Sequence, residues 1–229
     1  MRALVVVPIE TGSYFPGPTL RTPGAAAEPP APGALSRALR DFEIRQALWL
    51  MSVPALVFGI VGVLVPLKLD QAGWSAAGIA VAWVVAAAIE MVLAPLIGRV
   101  SDRKGRLLPL RVALMGAVAV LVGFAFADRP ALIVPILILS GITFGGFWAP
   151  AMALLTDAAD RIGLAQGLAF GLMNLAWGAG NALGPAIGGA VADAAGDAVP
   201  FLIMAALCLA TLGSLGFAGT RRMRVPESP

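Results

Sequence analysis

Six long apolar segments separated by short polar turns dominate this sequence. They cover residues 47–67, 76–97, 107–127, 131–156, 163–192 and 199–219. A helix of about 20 residues crosses the roughly 30 Å hydrocarbon core of a bilayer, so each segment is long enough to span one. Backbone groups in lipid must be paired within the segment, which predicts helices, and the segments are too long for barrel strands. The expected fold is an all-α polytopic membrane protein, with the lipid bilayer as its first partner.

The composition excludes several classes of protein. Of the 229 residues, 59% are hydrophobic and only 13% are charged, whereas about a quarter of a soluble domain is charged. The basic residues flank apolar segments and form no patch with interleaved aromatic side chains, so no nucleic-acid partner is expected. There is no histidine and a single cysteine, Cys208, which predicts no disulfide framework, no metal site and no cofactor. Without paired catalytic carboxylates, or a nucleophile beside a base, an intramembrane enzyme is not expected either.

The distribution of Lys and Arg predicts the orientation. If both termini are cytoplasmic, 14 of the 16 basic residues lie inside, and only Lys68 and Arg129 lie outside. Such a bias is typical of multi-pass proteins that keep their basic turns on the cytoplasmic side.

Three regions follow from this pattern. Residues 1–45 are interpreted as a flexible cytoplasmic linker rich in Pro, Ala and Gly, which ends in a short basic amphipathic segment at 36–45. Residues 46–220 are expected to form the six-helix transmembrane domain, and residues 221–229 a cytoplasmic tail.

A charged stretch at residues 98–106 joins the second and third apolar segments. Its pattern is G-x-x-x-D-R-x-G-R, formed by Gly98, Asp102, Arg103, Gly105 and Arg106. From the residues alone we expect a tight cytoplasmic loop, with Asp102 capping or pairing with a neighbouring helix end. The pattern resembles the signature loop of the major facilitator superfamily, which implies a gating role for these residues.

A second motif lies in the fifth segment and has the spacing G-x8-G-x3-G-P-x2-G-G. It is formed by Gly171, Gly180, Gly184, Pro185, Gly188 and Gly189. Glycines at every fourth position share one helix face and let another helix approach closely, while Pro185 bends the helix. The motif resembles the antiporter signature of that superfamily, which implies a helix seam that seals the outer side in the inward-facing state.

The two motifs together resemble the C-terminal half of drug:proton antiporters and of members similar to vesicular amine transporters. The stretch at 148–157 and the glycines at 180–189 are similar to that C-terminal pattern. The resemblance implies a half major-facilitator bundle of six helices, arranged as two inverted three-helix repeats. A whole transporter of this superfamily has twelve helices, and this chain has six.

Polar and aromatic residues inside the segments are candidates for a coupling or substrate site. Glu90 is interpreted either as a proton-coupling or cation-binding group, or as a structural partner of an arginine or helix. Asn174 and Asn181 share a face and would bind substrate or another helix; the vesicular amine transporter pattern has a carboxylate in place of Asn174. Trp148 and Trp177 would line a cavity or anchor the protein at the membrane interface.

Charges at the end of the fourth segment form another candidate. Asp157, Asp160 and Arg161 would either pair with the arginines of residues 98–106, forming a cytoplasmic latch, or remain a solvated turn.

The resemblance implies secondary transport by alternating access in the cell membrane. The expected activity is proton-coupled efflux of a small organic or drug-like solute. Six helices form one wall of a two-walled cavity, so transport would need a homodimer mate, a separately encoded second half or a longer chain; the leading linker favours the last. The alternative is a truncated or regulatory half-transporter without transport activity of its own.

Overall fold

The computed structural model describes residues 32–222, with side chains as far as Leu215. Residues 1–31 and 223–229, which hold most of the expected linker and tail, lie outside this description. The described residues form one short helix, α1 (Ala34–Arg40), and six long ones. These are α2 (Phe42–Gln71), α3 (Ala76–Lys104), α4 (Leu107–Phe126), α5 (Pro130–Arg161), α6 (Gln166–Ala195) and α7 (Ala198–Arg222).

Local residues explain where several helices begin and end. The Asp41 side chain accepts hydrogen bonds from the backbone N–H groups of the first turn of α2, and Ser75 caps α3 in the same way. Because Asp41 is extended, the basic segment expected at 36–45 is divided between α1 and the start of α2. Pro130 occupies the first turn of α5, where its missing N–H costs nothing. Gly105 has a φ of 87°, which ends α3 and favours glycine there.

Five of the described helices are long and apolar enough to cross a membrane. They are α2, α3, α4, α5 and the part of α7 from Ala198 to Leu215. Helix α6 has 30 residues, as many as α2, but it is rich in glycine and carries amide side chains. It packs along the length of α2, so all six long helices belong to the bundle.

The pairing of helices agrees with two inverted repeats. The first repeat is α2–α4 and the second is α5–α7; because each has three helices, the two start at opposite ends of the bundle. Helix α2 packs chiefly on α6, and its counterpart α5 packs chiefly on α3. If each helix is replaced by its counterpart in the other repeat, the pair α2–α6 becomes the pair α5–α3. The pairs α2–α5 and α4–α7 map onto themselves.

Burial differs strongly between the helices. In the most apolar 18-residue stretch of α2, 61% is buried inside the bundle, whereas 11% of the corresponding stretch of α3 is buried. Large apolar side chains of α3 therefore face outward, among them Val81, Val84, Met91 and Val92. The core lies mainly between α2, α4, α5 and α7.

The two ends of the bundle carry different charges. We call the end where α3 and α5 finish the basic end, because the charged residues 99–106 and Arg161 lie there. At the opposite end, Lys68 donates a hydrogen bond of 3.2 Å to the carbonyl of Phe124 in the last turn of α4. Its ammonium group also lies 5.9 Å from the centre of the Phe201 ring. This lysine therefore joins α2, α4 and α7.

Candidate functional site

A cavity of about 190 Å³ lies between four helices. Helix α2 contributes three lining residues, α3 one, α5 three and α6 one. They are Met51, Pro54, Phe58, Glu90, Phe144, Phe147, Trp148 and Trp177. Three of the five residues that the sequence marked as candidates for coupling or substrate binding therefore converge here, namely Glu90, Trp148 and Trp177.

Glu90 lies at the midpoint of α3. It lies fourteen positions after Ala76 and fourteen before Lys104, which places it about 21 Å from either end of the helix. The side chain is half-buried, and the described residues give it neither an ion pair nor a hydrogen bond.

Glycine lets Glu90 lie against α5. A Cβ added at Gly145 would be 2.9 Å from Cγ of Glu90, which is closer than such atoms approach. One turn earlier, a Cβ at Gly141 would clash with the backbone carbonyl of Ala86. The contact between α3 and α5 therefore depends on small residues.

Aromatic rings form most of the cavity wall. The indoles of Trp148 and Trp177 are perpendicular, with centres 5.2 Å apart. The Phe58 ring contacts three others, Trp83, Phe144 and Trp177, at centre distances of 5.9 Å, 6.5 Å and 6.0 Å. Such distances are typical of favourable aromatic pairs.

The two asparagines of α6 are not brought to this cavity. Asn174 is exposed, and its amide donates to the Phe170 carbonyl of its own helix at 3.0 Å. Asn181 is half-buried, and its backbone carbonyl faces Gly59 of α2. Neither amide is among the lining residues.

Three of the motif glycines form a tight seam between α6 and α2. A Cβ added at Gly180 would lie 2.6 Å from Cβ of Ala55, and one at Gly184 would lie 2.6 Å from the Leu56 carbonyl. A Cβ at Gly188 would meet Ile60 at 2.8 Å. Small residues at every fourth position thus let the two helix backbones approach closely.

The seam is reciprocal but does not include the whole motif. On the α2 side, a Cβ added at Gly59 would be 2.8 Å from Cδ of Pro185. At Gly171 and Gly189, an added Cβ would meet nothing within 4 Å. These two glycines, which the spacing grouped with the others, do not contact α2.

The expected loop at 98–106 is largely helical, and this corrects the sequence interpretation. Helix α3 continues through Lys104, so only Gly105 and Arg106 separate it from α4. The apolar segment stops near residue 97, but Arg and Lys are good helix formers and no proline intervenes before Lys104. Gly98 is helical and an added Cβ there would meet nothing within 4 Å, so it makes no close approach.

Arg106 connects three helices at the basic end. Its guanidinium donates to Oδ1 of Asp102 at 3.1 Å and to Oδ2 of Asp157 at 3.0 Å. The pairing of Asp157 with an arginine of the 98–106 stretch, which the sequence suggested, is therefore present. Arg103 is exposed and takes part in none of the ion pairs among the described residues.

Asp160 and Arg161 have other partners. Asp160 accepts a hydrogen bond of 2.6 Å from Gln166 at the start of α6. Arg161 donates to Asp41 at 2.7 Å and to Glu43 at 3.0 Å, which ties the end of α5 to the start of α2. The hydrogen bond from Arg161 holds the pKa of Asp41 below its ordinary value of 3.8, and two backbone N–H groups act in the same direction.

Comparison with known families identifies the fold. The family model described as Major Facilitator Superfamily matches residues 5–170, which is well over half of the chain. The chain belongs to the major facilitator superfamily. A search of curated proteins found no match.

Membership of this superfamily makes the protein a multi-pass membrane transporter and its bundle a half major-facilitator fold. The superfamily match includes Glu90, Arg106 and Trp148, and it ends in the second turn of α6. Trp177 and the glycine seam lie beyond it.

Among the described residues, no group of three or more His, Cys, Asp or Glu side chains could hold a metal ion.

Sequence reasoning missed the contribution of α2 to the cavity of this superfamily member. Met51, Pro54 and Phe58 follow one another at intervals of three and four, so they share a helix face. That spacing was visible in the sequence. Phe144 and Phe147 of α5 are buried and also line the cavity.

Proposed function

We propose that this superfamily member exports small organic or drug-like solutes across the cell membrane in exchange for protons. The observation that carries the proposal is Glu90, the only ionisable side chain among the described residues of the cavity wall. A carboxyl group inside a membrane protein is costly unless it is protonated, paired or hydrated. Because Glu90 has no protein partner among the described residues, binding and releasing a proton is the chemistry that its position supports.

The ion pairs of the basic end supply the proposed inner gate. In this scheme the basic end faces the cytoplasm and both termini lie there, as the Lys and Arg distribution indicates. Arg106 ties the start of α4 to Asp102 and Asp157, and opening the inner side breaks these contacts. Ion pairs as exposed as these contribute less than about 1 kcal/mol, so they can break in every cycle. Arg103 would hold this end against the anionic leaflet.

The seam between α2 and α6 supplies the proposed moving surface. Gly180, Gly184 and Gly188, with Pro185 beside them, give α6 a flat face against α2. Asn174 and Asn181 would offer amides to a solute or to a second wall of the pathway. The proposal gives no part in this motion to the glycines where an added Cβ would meet nothing within 4 Å, namely Gly98, Gly105, Gly171 and Gly189.

A second wall is part of the proposal. The apolar outward face of α3 has to meet lipid or protein, since only 11% of its most apolar 18-residue stretch is buried inside the bundle. A second six-helix half or a second copy of the chain would close the pathway on the opposite side of the cavity.

Proton exchange can be tested with purified protein in liposomes that contain a pH-sensitive dye. Three solutes are added in turn: a permanent organic cation, a neutral aromatic compound and a sulfonate. None of them carries a proton under these conditions, so a change of internal pH reports on the protein. We expect at least one solute to move protons through the unmodified protein and none to do so through Glu90→Gln.

The matched control is Asp70→Asn, which removes an exposed carboxylate at the end of α2. It should transport like the unmodified protein. Proton movement through Glu90→Gln at the unmodified rate would exclude Glu90 as the coupling group. If no solute moves protons through the unmodified protein, the half-length chain has no coupled transport of its own, and the alternative of a regulatory half-transporter takes its place.

A further inference from the structure

We propose that α1 and the first turn of α2 bind anionic phospholipids in the leaflet at the basic end of the bundle. The inference goes beyond the proposed transport, because it rests only on the membrane-spanning fold and on the surface of this short segment. Depth, exposed faces and charge support it separately.

The start of α2 lies at the depth of the lipid headgroups. The apolar segment of this helix begins at Ala47, and Phe42 precedes it by five positions, or about 7.5 Å along the helix. The headgroup layer on each side of the hydrocarbon core is about 5–8 Å thick. Because only Asp41 separates α1 from α2, α1 also ends at this depth.

Helix α1 has two different apolar faces. Ala34 and Ala38, one turn apart, are buried against the bundle. Leu35 and Leu39, also one turn apart, are 48% and 46% exposed, and Phe42 at the start of α2 is 60% exposed. Amphipathic helices at a membrane surface bury such side chains about 5–10 Å into the boundary between headgroups and acyl chains. At the depth of α1, lipid is therefore the apolar environment within reach of the second face.

Three exposed arginines give this segment its preference for an anion. Arg37 and Arg40 lie in the last turn of α1, and Arg45 lies in the first turn of α2. In the part of the chain that the structure describes, their guanidinium groups have neither an ion pair nor a hydrogen bond. A guanidinium group is planar and donates parallel N–H bonds to a phosphate, so phospholipid headgroups suit it better than water does.

The carboxylates of the same segment do not cancel these charges. Arg161 of α5 donates to Asp41 at 2.7 Å and to Glu43 at 3.0 Å, so each carboxylate is already paired. The same contacts hold the junction of α1 and α2 against the end of α5. An arginine near an anionic membrane surface raises the affinity about fivefold. Three of them therefore suffice to distinguish phosphatidylglycerol, which is anionic, from phosphatidylcholine, which has no net charge.

The proposal is tested with the purified full chain carrying Leu39→Cys, labelled there with bimane and reconstituted into two kinds of vesicle. Both are equimolar mixtures of phosphatidylglycerol and phosphatidylcholine; in one only the phosphatidylglycerol has brominated acyl chains, and in the other only the phosphatidylcholine. Bromine quenches the dye only at short range, so the ratio of the two quenching values reports which lipid surrounds α1. We expect brominated phosphatidylglycerol to quench at least about threefold more strongly. Equal quenching, or no quenching by either lipid, would overturn the proposal.

Further substitutions in the labelled chain assign the binding to this segment. Arg37→Gln, Arg40→Gln and Arg45→Gln combined should bring the quenching ratio close to one. Arg129→Gln is the matched control, since Arg129 is an exposed arginine at the opposite end of the bundle; it should leave the ratio unchanged. The chain without Leu39→Cys gives the background, because its single thiol, Cys208, is fully buried. A lipid preference that survives the triple substitution would overturn the assignment to α1 and α2.

Discussion

The tight seam between α2 and α6 makes a quantitative prediction about Gly184→Ala. The added methyl group would lie 2.6 Å from the Leu56 carbonyl, while ordinary contact starts at 3.4 Å. The nearest atoms all belong to the α2 backbone and cannot turn away, so the helices would have to separate by about 0.8 Å. Forcing an extra methyl group into such a contact costs about 1–3 kcal/mol.

Gly189→Ala is the matched control, because it adds the same group to the same motif where nothing lies within 4 Å. Alanine favours a helix over glycine by up to about 1 kcal/mol, and both variants gain this equally. The difference between them therefore isolates the packing cost. Unfolding in denaturing detergent, followed by circular dichroism, should show Gly184→Ala less stable than Gly189→Ala by about 1–3 kcal/mol. Equal stabilities would refute the close approach of the two backbones.

Three further predictions concern the ends of the bundle. Because Arg161 lowers the pKa of Asp41, this carboxylate contributes stability that is fully present above pH 3.8 and is lost as the pH falls through the lowered value. Asp41→Asn should therefore weaken the acid dependence of thermal melting below about pH 4, and an unchanged dependence would contradict the pair. Arg106→Gln should change the free energy of unfolding by less than about 1 kcal/mol, because its ion pairs are exposed; a larger loss in detergent unfolding would mean that the gate contacts are structural. Lys68→Met should cost about 1–2 kcal/mol in the same measurement, since it leaves the Phe124 carbonyl without its charged donor, and an unaltered stability would exclude that bond.

The sequence predicted the helices well because lipid imposes a simple rule. Hydrophobic length located all six long helices, and glycine spacing located the seam at Gly180, Gly184 and Gly188 before any partner was known. What failed was the end of α3. Hydropathy shows where lipid stops, whereas helix propensity decides where the helix stops, and the two points differ by seven residues between residue 97 and Lys104.

The cavity could be predicted only in parts. Glu90, Trp148 and Trp177 were noticeable singly, because ionisable and indole side chains are rare in apolar segments. That they meet Phe58 depends on which helices pack together, and no local pattern contains that information. The role of Asn174 stays a prediction: its polarity suggested a place in the site, and in the structure its amide donates to the Phe170 carbonyl of its own helix.

The seam also has a consequence for the order of events during biosynthesis. Gly59 and the Gly184 region that faces it are 125 residues apart, and three complete helices lie between them. At about 5–20 residues per second, α2 waits roughly 6–25 s for its main neighbour to be synthesised. We therefore predict that Gly59→Ala has no effect on ribosome-arrested chains that end before α6. Such chains should resist protease as well as unmodified chains of the same length. Once α6 enters the membrane, the same substitution should make the chain more sensitive to protease than the unmodified chain. The defect would then lie in the packing of α6 on α2 and not in membrane insertion.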